Sequence, residues 1–173
     1  MSLKSAWDPA ESRVRLGVVD DLPESVVVGS AVFSRVDSDD SLACWTSIID
    51  VQGVGDSRPV SLVIEPATVP ESAVCELAAT VMARFGEFAE VAADYLRQQL
   101  RGPQFGLRHS ELVELDATES LFGEPEAVIW ADGTWLLRFA ESRLEMADPF
   151  GIGVLFEGTT PYAVEDLSGA EPA

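Results

Sequence analysis

The sequence predicts an α+β domain in which an antiparallel β-sheet, made of an N-terminal meander and C-terminal hairpins, packs against one dominant helix. Three observations predict it. Short turn-like linkers separate the strand candidates before residue 66. Apolar residues recur at helical spacing from Val74 to Leu100. Asp132-Gly133 sits between two strand-like runs as a hairpin signal. At 173 residues with 47% apolar content, the chain suits a single domain over 1–173 with a real core.

The first 24 residues read two ways. Asp8-Pro9-Ala10-Glu11 has the makings of a helix start, with Gly17 as its stop. Val14, Leu16 and Val18 alternate like a strand instead. Three strands are expected next, at Val26–Ser34, Leu42–Val51 and Val60–Glu65, each rich in β-branched or aromatic residues. Asp37-Ser38-Asp39-Asp40 and Gly53-Val54-Gly55-Asp56 supply the turns between them.

Thr68-Val69-Pro70-Glu71 reads as a capping box that opens the helix. Val74, Leu77, Ala78, Val81, Met82 and Phe85 share one face, continued by Phe88, Ala89, Ala92, Leu96 and Leu100. Gly102-Pro103 stops it. An unbroken helix of that span would be about 45 Å long in a domain roughly 40 Å across, so a kink or break is expected at Gly86. Between Phe105 and Phe122 either a short helix capped by Ser110 or a loop fits. Glu126–Ala131 and Thr134–Ala140 form the hairpin around Asp132-Gly133. A two-residue turn would set Trp130 opposite Trp135 on the buried face, with Val128, Leu137 and Phe139. Gly151–Phe156 is a further strand that Glu157-Gly158 turns back toward Pro161–Val164. Residues 168–173 should fray.

Charge is the strongest functional signal. Thirty acids face eleven bases, a net of −19. From Ser110 onward there are 14 acids and two bases, a net of −12, while Pro70–His109 is almost neutral. Such a surface repels phosphate backbones and anionic membranes, so neither nucleic acid nor a membrane is expected as partner. It suits a basic protein, with Glu111, Glu114, Asp116, Glu119, Glu124 and Glu126 as the candidate contact surface. The plain alternative is that the acidity keeps the protein soluble. One lysine, ten arginines and no asparagine, with abundant Ala, Val and Gly, fit a high-GC bacterial genome.

Little in the chain reads as catalytic. His109 is the only histidine, and Ser–His–Asp or Cys–His catalysis would rest on it alone. A loop histidine is the simpler account. Cys44 and Cys75 lie in apolar runs and read as buried free thiols. One His and two separated Cys do not supply a zinc site. Counting from Asp37, the glycine position of a calcium loop is Leu42. Gly151-Ile152-Gly153 leads into a strand-like run, where a dinucleotide turn needs a helix. Arg97, Arg101 and Arg108 suit a helix C-terminus. No cofactor and no metal are therefore expected, and an enzyme would have to work through carboxylates alone. No apolar run approaches the roughly 18–20 residues of a membrane span, and none opens the chain as a signal peptide, so a cytoplasmic location is expected.

Ala93-Asp94-Tyr95-Leu96, Trp130-Ala131-Asp132-Gly133-Thr134-Trp135, Asp148-Pro149-Phe150-Gly151-Ile152-Gly153-Val154, Phe156-Glu157-Gly158 and Glu165-Asp166-Leu167 are similar to stretches of small bacterial domains of unknown function. Some of those are immunity-protein candidates of polymorphic toxin systems. The resemblance spans roughly the second half of the chain, supports the fold and implies no site residues. The expected function is a non-enzymatic, acidic, cytoplasmic protein-binding domain, such as an immunity protein against a basic toxin. The alternatives are a secretion chaperone or adaptor, which would dimerise through an apolar patch, and a carboxylate-based enzyme.

Overall fold

A computed structural model describes residues 22–51, 57–117 and 121–167. The turn expected at Gly53–Asp56, the ambiguous residues before Leu22, and the expected fraying over 168–173 lie outside the described residues. Among the described residues eight strands form one sheet in strict sequence order. They are β1 (Ser25–Val28), β2 (Ala31–Val36), β3 (Ala43–Asp50), β4 (Ser57–Ile64), β5 (Pro125–Trp130), β6 (Thr134–Phe139), β7 (Ile152–Glu157) and β8 (Thr160–Asp166). Helices α1 (Ser72–Ala83), α2 (Phe85–Gln99) and α3 (His109–Glu114) lie between β4 and β5. The fold is thus mixed α+β with a mostly antiparallel sheet. The exception is β4–β5, which pair in parallel. A parallel neighbour requires a long crossover, and the helical segment provides it.

The run Val26–Ser34 is two strands and not one. Val28 pairs with Ala31 across Gly29-Ser30, and Gly29 has φ +60°. That is the pattern of a type II′ turn, which needs Gly at its first central position. Apolar residues on both sides hide the turn from a propensity reading. Arg35 N–H then donates to Glu24 O, and the Trp45 indole donates to Pro23 O, which fastens the entering chain to the sheet.

The expected long helix is two. α1 ends at Ala83, Arg84 leaves helical geometry at φ −120°, ψ 22°, and α2 begins at Phe85. The interruption precedes Gly86, which sits in the first turn of α2. It lets α1 contact β1, β4 and β5 while α2 contacts β6, β7 and β8, so the pair follows a sheet wider than one straight rod would cover. The N-cap of α1 is Glu71, without a side-chain cap, so Thr68 does not close a capping box. Val74, Ala78, Val81, Phe85, Phe88, Ala92 and Leu96 are buried on the sheet, as the 3.6-residue spacing requires. Of the helix and loop alternatives after Phe105 the helix forms, and the N-cap of α3 is Arg108, two residues ahead of Ser110.

The Asp132-Gly133 hairpin forms with a three-residue loop. Ile129 pairs with Trp135 and Val128 with Leu136. Gly133 takes φ +83°, and its N–H donates to Trp130 O. Asp132 Oδ1 accepts the Thr134 N–H at 2.9 Å and the Thr134 hydroxyl at 2.7 Å. The Thr134 hydroxyl, then its N–H, hold the Asp132 carboxyl below its ordinary range. One extra loop residue moves a strand's side chains to the other face. Trp135, Leu137 and Phe139 therefore point into the core as expected, but Trp130 and Val128 point away from it, and the expected Trp–Trp pair does not form. Trp135 instead stacks on Phe156 with ring centroids 4.2 Å apart, with Phe88 of α2 edge-on at 5.1 Å. Its indole N–H donates to Gly158 O at 2.8 Å.

Candidate functional site

Strand alternation gives the sheet two unlike faces. All three helices belong to the β4–β5 crossover, and α1 and α2 cover one face with the core residues Phe33, Trp45, Leu62, Ile129, Trp135 and Phe156. The opposite face carries Val27, Val32, Val36, Cys44, Thr46 and Ile48 in β1–β3. There Val27 is 69% exposed, Val32 56%, Val36 45% and Ile48 64%. Ladder pairing continues this face through Val63, Trp130, Val128, Leu136 and Leu155 to Ala163. Thr46 and Ser61 hydroxyls bond each other across β3–β4 at 2.8 Å. Apart from Asp50 at its end, the β1–β4 part of this face bears no charge, in a chain of net −19.

The acidic segment is the second candidate, and the structure divides it. Glu111 is only 7% exposed. Its Oε2 accepts the Arg108 backbone N–H at 2.9 Å and Arg108 Nε at 3.2 Å, and its Oε1 accepts the Glu145 N–H at 3.1 Å. It closes the start of α3 and clasps that helix to the turn before β7. The Arg108 N–H, followed by that of Glu145 and the Arg108 guanidinium, holds its carboxyl below the usual range despite burial. Arg108 also pairs with Glu145. Glu126 pairs with Arg138 at 2.7 Å, and both are about one-third exposed or less. Asp116 pairs with Arg101 and Glu124 with Arg58, yet these two carboxylates stay 68% and 71% exposed. Glu114 is half-buried. Glu119 lies outside the described residues. Of the six, then, Asp116 and Glu124 turn mostly to solvent, and Glu111 serves the interior.

The remaining groups carry no assembled chemistry. His109 is exposed at the first position of α3. Cys44 and Cys75 are free and half-buried, less enclosed than their apolar surroundings in sequence suggest. Burial raises both thiols, with Thr46 opposing at Cys44 and Glu76 reinforcing at Cys75, which disfavours thiolate. Gly151-Ile152-Gly153 runs into β7, not into a helix. Arg97, Arg101 and Arg108 do not act as one cluster, since each has a carboxylate of its own. A groove of about 460 Å³ between α2 and the start of β5 is lined by Ala93, Asp94, Arg97, Phe122 and Pro125. Its charged pair, Arg97 and Asp94, is joined internally at 3.2 Å. Among the described residues no three His, Cys, Asp or Glu side chains converge as metal ligands, and no helix is long and apolar enough to cross a membrane.

Sequence reasoning missed the open sheet face, though a signal was present. SVVV, AVFSRV and ACWTSIID are apolar on both alternating faces. A sheet with one wet face alternates apolar and polar residues, whereas strands covered on both sides do not. No protein-family model, curated protein or solved structure matches the chain.

Proposed function

We propose that this chain is a non-enzymatic, acidic protein-binding domain that acts in the cytoplasm on a basic protein, as an immunity protein does on a basic toxin. One observation carries the reading. Arg58, Arg84, Arg97, Arg101, Arg108 and Arg138 each lie in an ion pair with a carboxylate of the same chain. Each of these cations is offset by a neighbouring acid, and the acids of the described residues far outnumber the bases, so their outward charge is overwhelmingly negative. A field of one sign speeds encounter with a basic face and disfavours anionic partners. Asp116 and Glu124 belong to the contact because they are acidic and mostly exposed; Glu111 does not.

The test is a pull-down from the source cell with the full chain, followed by association kinetics with the captured protein. The association rate should fall at least about tenfold between low salt and roughly 0.5 M salt, because screening shortens the reach of the charges. A rate indifferent to salt, or a captured partner that is itself acidic, sinks the proposal. The adaptor-like reading is favoured by a different observation, the apolar β1–β4 part of the open sheet face.

A further inference from the structure

We infer that the face of the eight-stranded sheet which the described residues leave uncovered is the seat of a second copy of this chain, giving a face-to-face homodimer. The inference is independent of the basic-partner reading and rests on three features of that face.

The first is charge. Each copy carries −19, so two copies repel wherever their carboxylates meet. Over β1–β4 the open face has only Asp50, at its margin, and Glu126 on β5 is neutralised by Arg138 on β6 at 2.7 Å; the exposed Glu157 and Glu165 lie on this face only in β7 and β8, outside the contact. This is where two such chains can touch without opposing like charges. A basic partner drawn by the acidic surface would find only Asp50, at the margin, to bind here.

The second is composition. Val27, Val32, Val36 and Ile48 stand together on one face at 45–69% exposure. Trp130 and Val128 extend the apolar surface across the centre of the sheet. The polar side chains Thr46 and Ser61 already satisfy each other at 2.8 Å, so covering these two leaves neither hydroxyl without a partner.

The third is area. Six strands, β1–β6, spaced about 4.8 Å apart span roughly 29 Å, and about six residues of strand add roughly 20 Å in the other direction. That is about 580 Å² per copy and about 1,150 Å² in all, above the roughly 1,000 Å² that a specific interface needs. Two twisted sheets pack face to face about 10 Å apart with strands crossing near 30°, as in a β-sandwich.

The test is mass measurement of the full chain by sedimentation equilibrium at low and high salt. We expect twice the 18.6 kDa chain mass at micromolar concentration, with tighter association as salt rises, because salt screens the repulsion between copies. That sign is opposite to the one expected for a basic partner, so each idea can fail alone. Ile48→Asp should weaken the dimer about a hundredfold or more while the far-UV spectrum stays unchanged, since Ile48 is 64% exposed in the single chain. Val91→Asp, on the exposed side of α2, should leave the mass unaltered. The unmutated chain offers a second readout. Cys44 lies on the open face and Cys75 on α1, so alkylation of Cys44 alone should slow as protein concentration rises. A monomer at every concentration and salt overturns the inference, as does a dimer indifferent to Ile48→Asp. Cys44 protection that appears only with an added protein assigns the face to that protein. Protection in a dilute monomer assigns it to another part of the same chain. Both of these outcomes also overturn the inference.

Discussion

In β5–β8 the face turned away from the helices closes over itself around Leu136, leaving Trp130 half-buried at its edge, whereas in β1–β4 it stays open. Both regions are four-stranded antiparallel ladders read in sequence order, so topology alone does not set the difference. In the C-terminal ladder Leu136 lies between Val128 and Leu155 on the neighbouring strands and is 6% exposed. Gly153 makes room for it, since a Cβ there would collide with the Leu136 side chain. Arg138 bridges Glu126 and Phe150 O over the same face. In the N-terminal ladder the corresponding positions hold short β-branched side chains and hydroxyls, which cannot fold over one another. The comparison separates a self-sufficient half from a half that presents surface.

The tryptophans of the hairpin give the largest expected effect. Trp135 is fully buried, stacked on Phe156 and bonded to Gly158 O. Trp130 points the other way and is half-buried. Trp135→Ala should cost about 3–5 kcal/mol, the usual range for deleting a core aromatic. Trp130→Ala should cost less than about 1.5 kcal/mol in dilute solution, where only the open face changes. Urea melts of the two variants check this. Equal losses would restore the two-residue turn and put both rings on one face.

That hairpin also shows what was legible and what was not. The strands and turn position were readable from Asp132-Gly133. The loop length depended on Thr134, whose N–H and hydroxyl bind Asp132 and fix the longer loop. A single residue of loop then decided the face of Trp130. The helical stretch was legible because its apolar period is intrinsic to the chain, but its break falls at Arg84 because the sheet beneath sets where the axis must turn. Parallel pairing of Leu62 with Ile129 joins residues far apart in sequence, and no local pattern encodes it. Glu111 read as a surface acid for the same reason: one of its partners, the Glu145 N–H, is 34 residues away.

Glu111 yields the next effect, since it ties α3 to the self-sufficient half through Glu145. Its carboxyl sits below its ordinary value of 4.5 in the folded chain, chiefly through the Arg108 N–H. A depressed folded pKa means that the carboxylate's contribution is fully present above about pH 4.5 and is lost as pH falls through the folded value. Glu111→Gln should therefore destabilise the chain by about 1–2 kcal/mol at pH 7. The gap between variant and parent should narrow as pH drops below 4.5. Comparing the two at each pH cancels the titration of the many other acids. A gap that is constant from pH 7 to pH 3 would mean that the clasp to Glu145 depends on shape and not on charge.

The smallest effect belongs to the open half, and its smallness is the point. Ile48 is 64% exposed on β3 and pairs with Pro59 across the ladder. Threonine keeps the β-branched shape that a strand favours and exchanges an apolar methyl-bearing arm for a hydroxyl that water can reach. In the single chain little apolar area is lost from contact, so Ile48→Thr should change stability by less than about 0.5 kcal/mol in dilute solution. Leu136, on the same face of the other half, has no such freedom because its neighbours already enclose it. The dilution matters. Anything that binds only the folded chain adds stability that grows with its concentration, and a second copy is no exception. Thermal melts of parent and Ile48→Thr should therefore coincide at low protein concentration and separate as concentration rises, the parent gaining more. A difference of 2 kcal/mol already present at high dilution would show that Ile48 is covered within the single chain, and the distinction between the closed and the open half would fall.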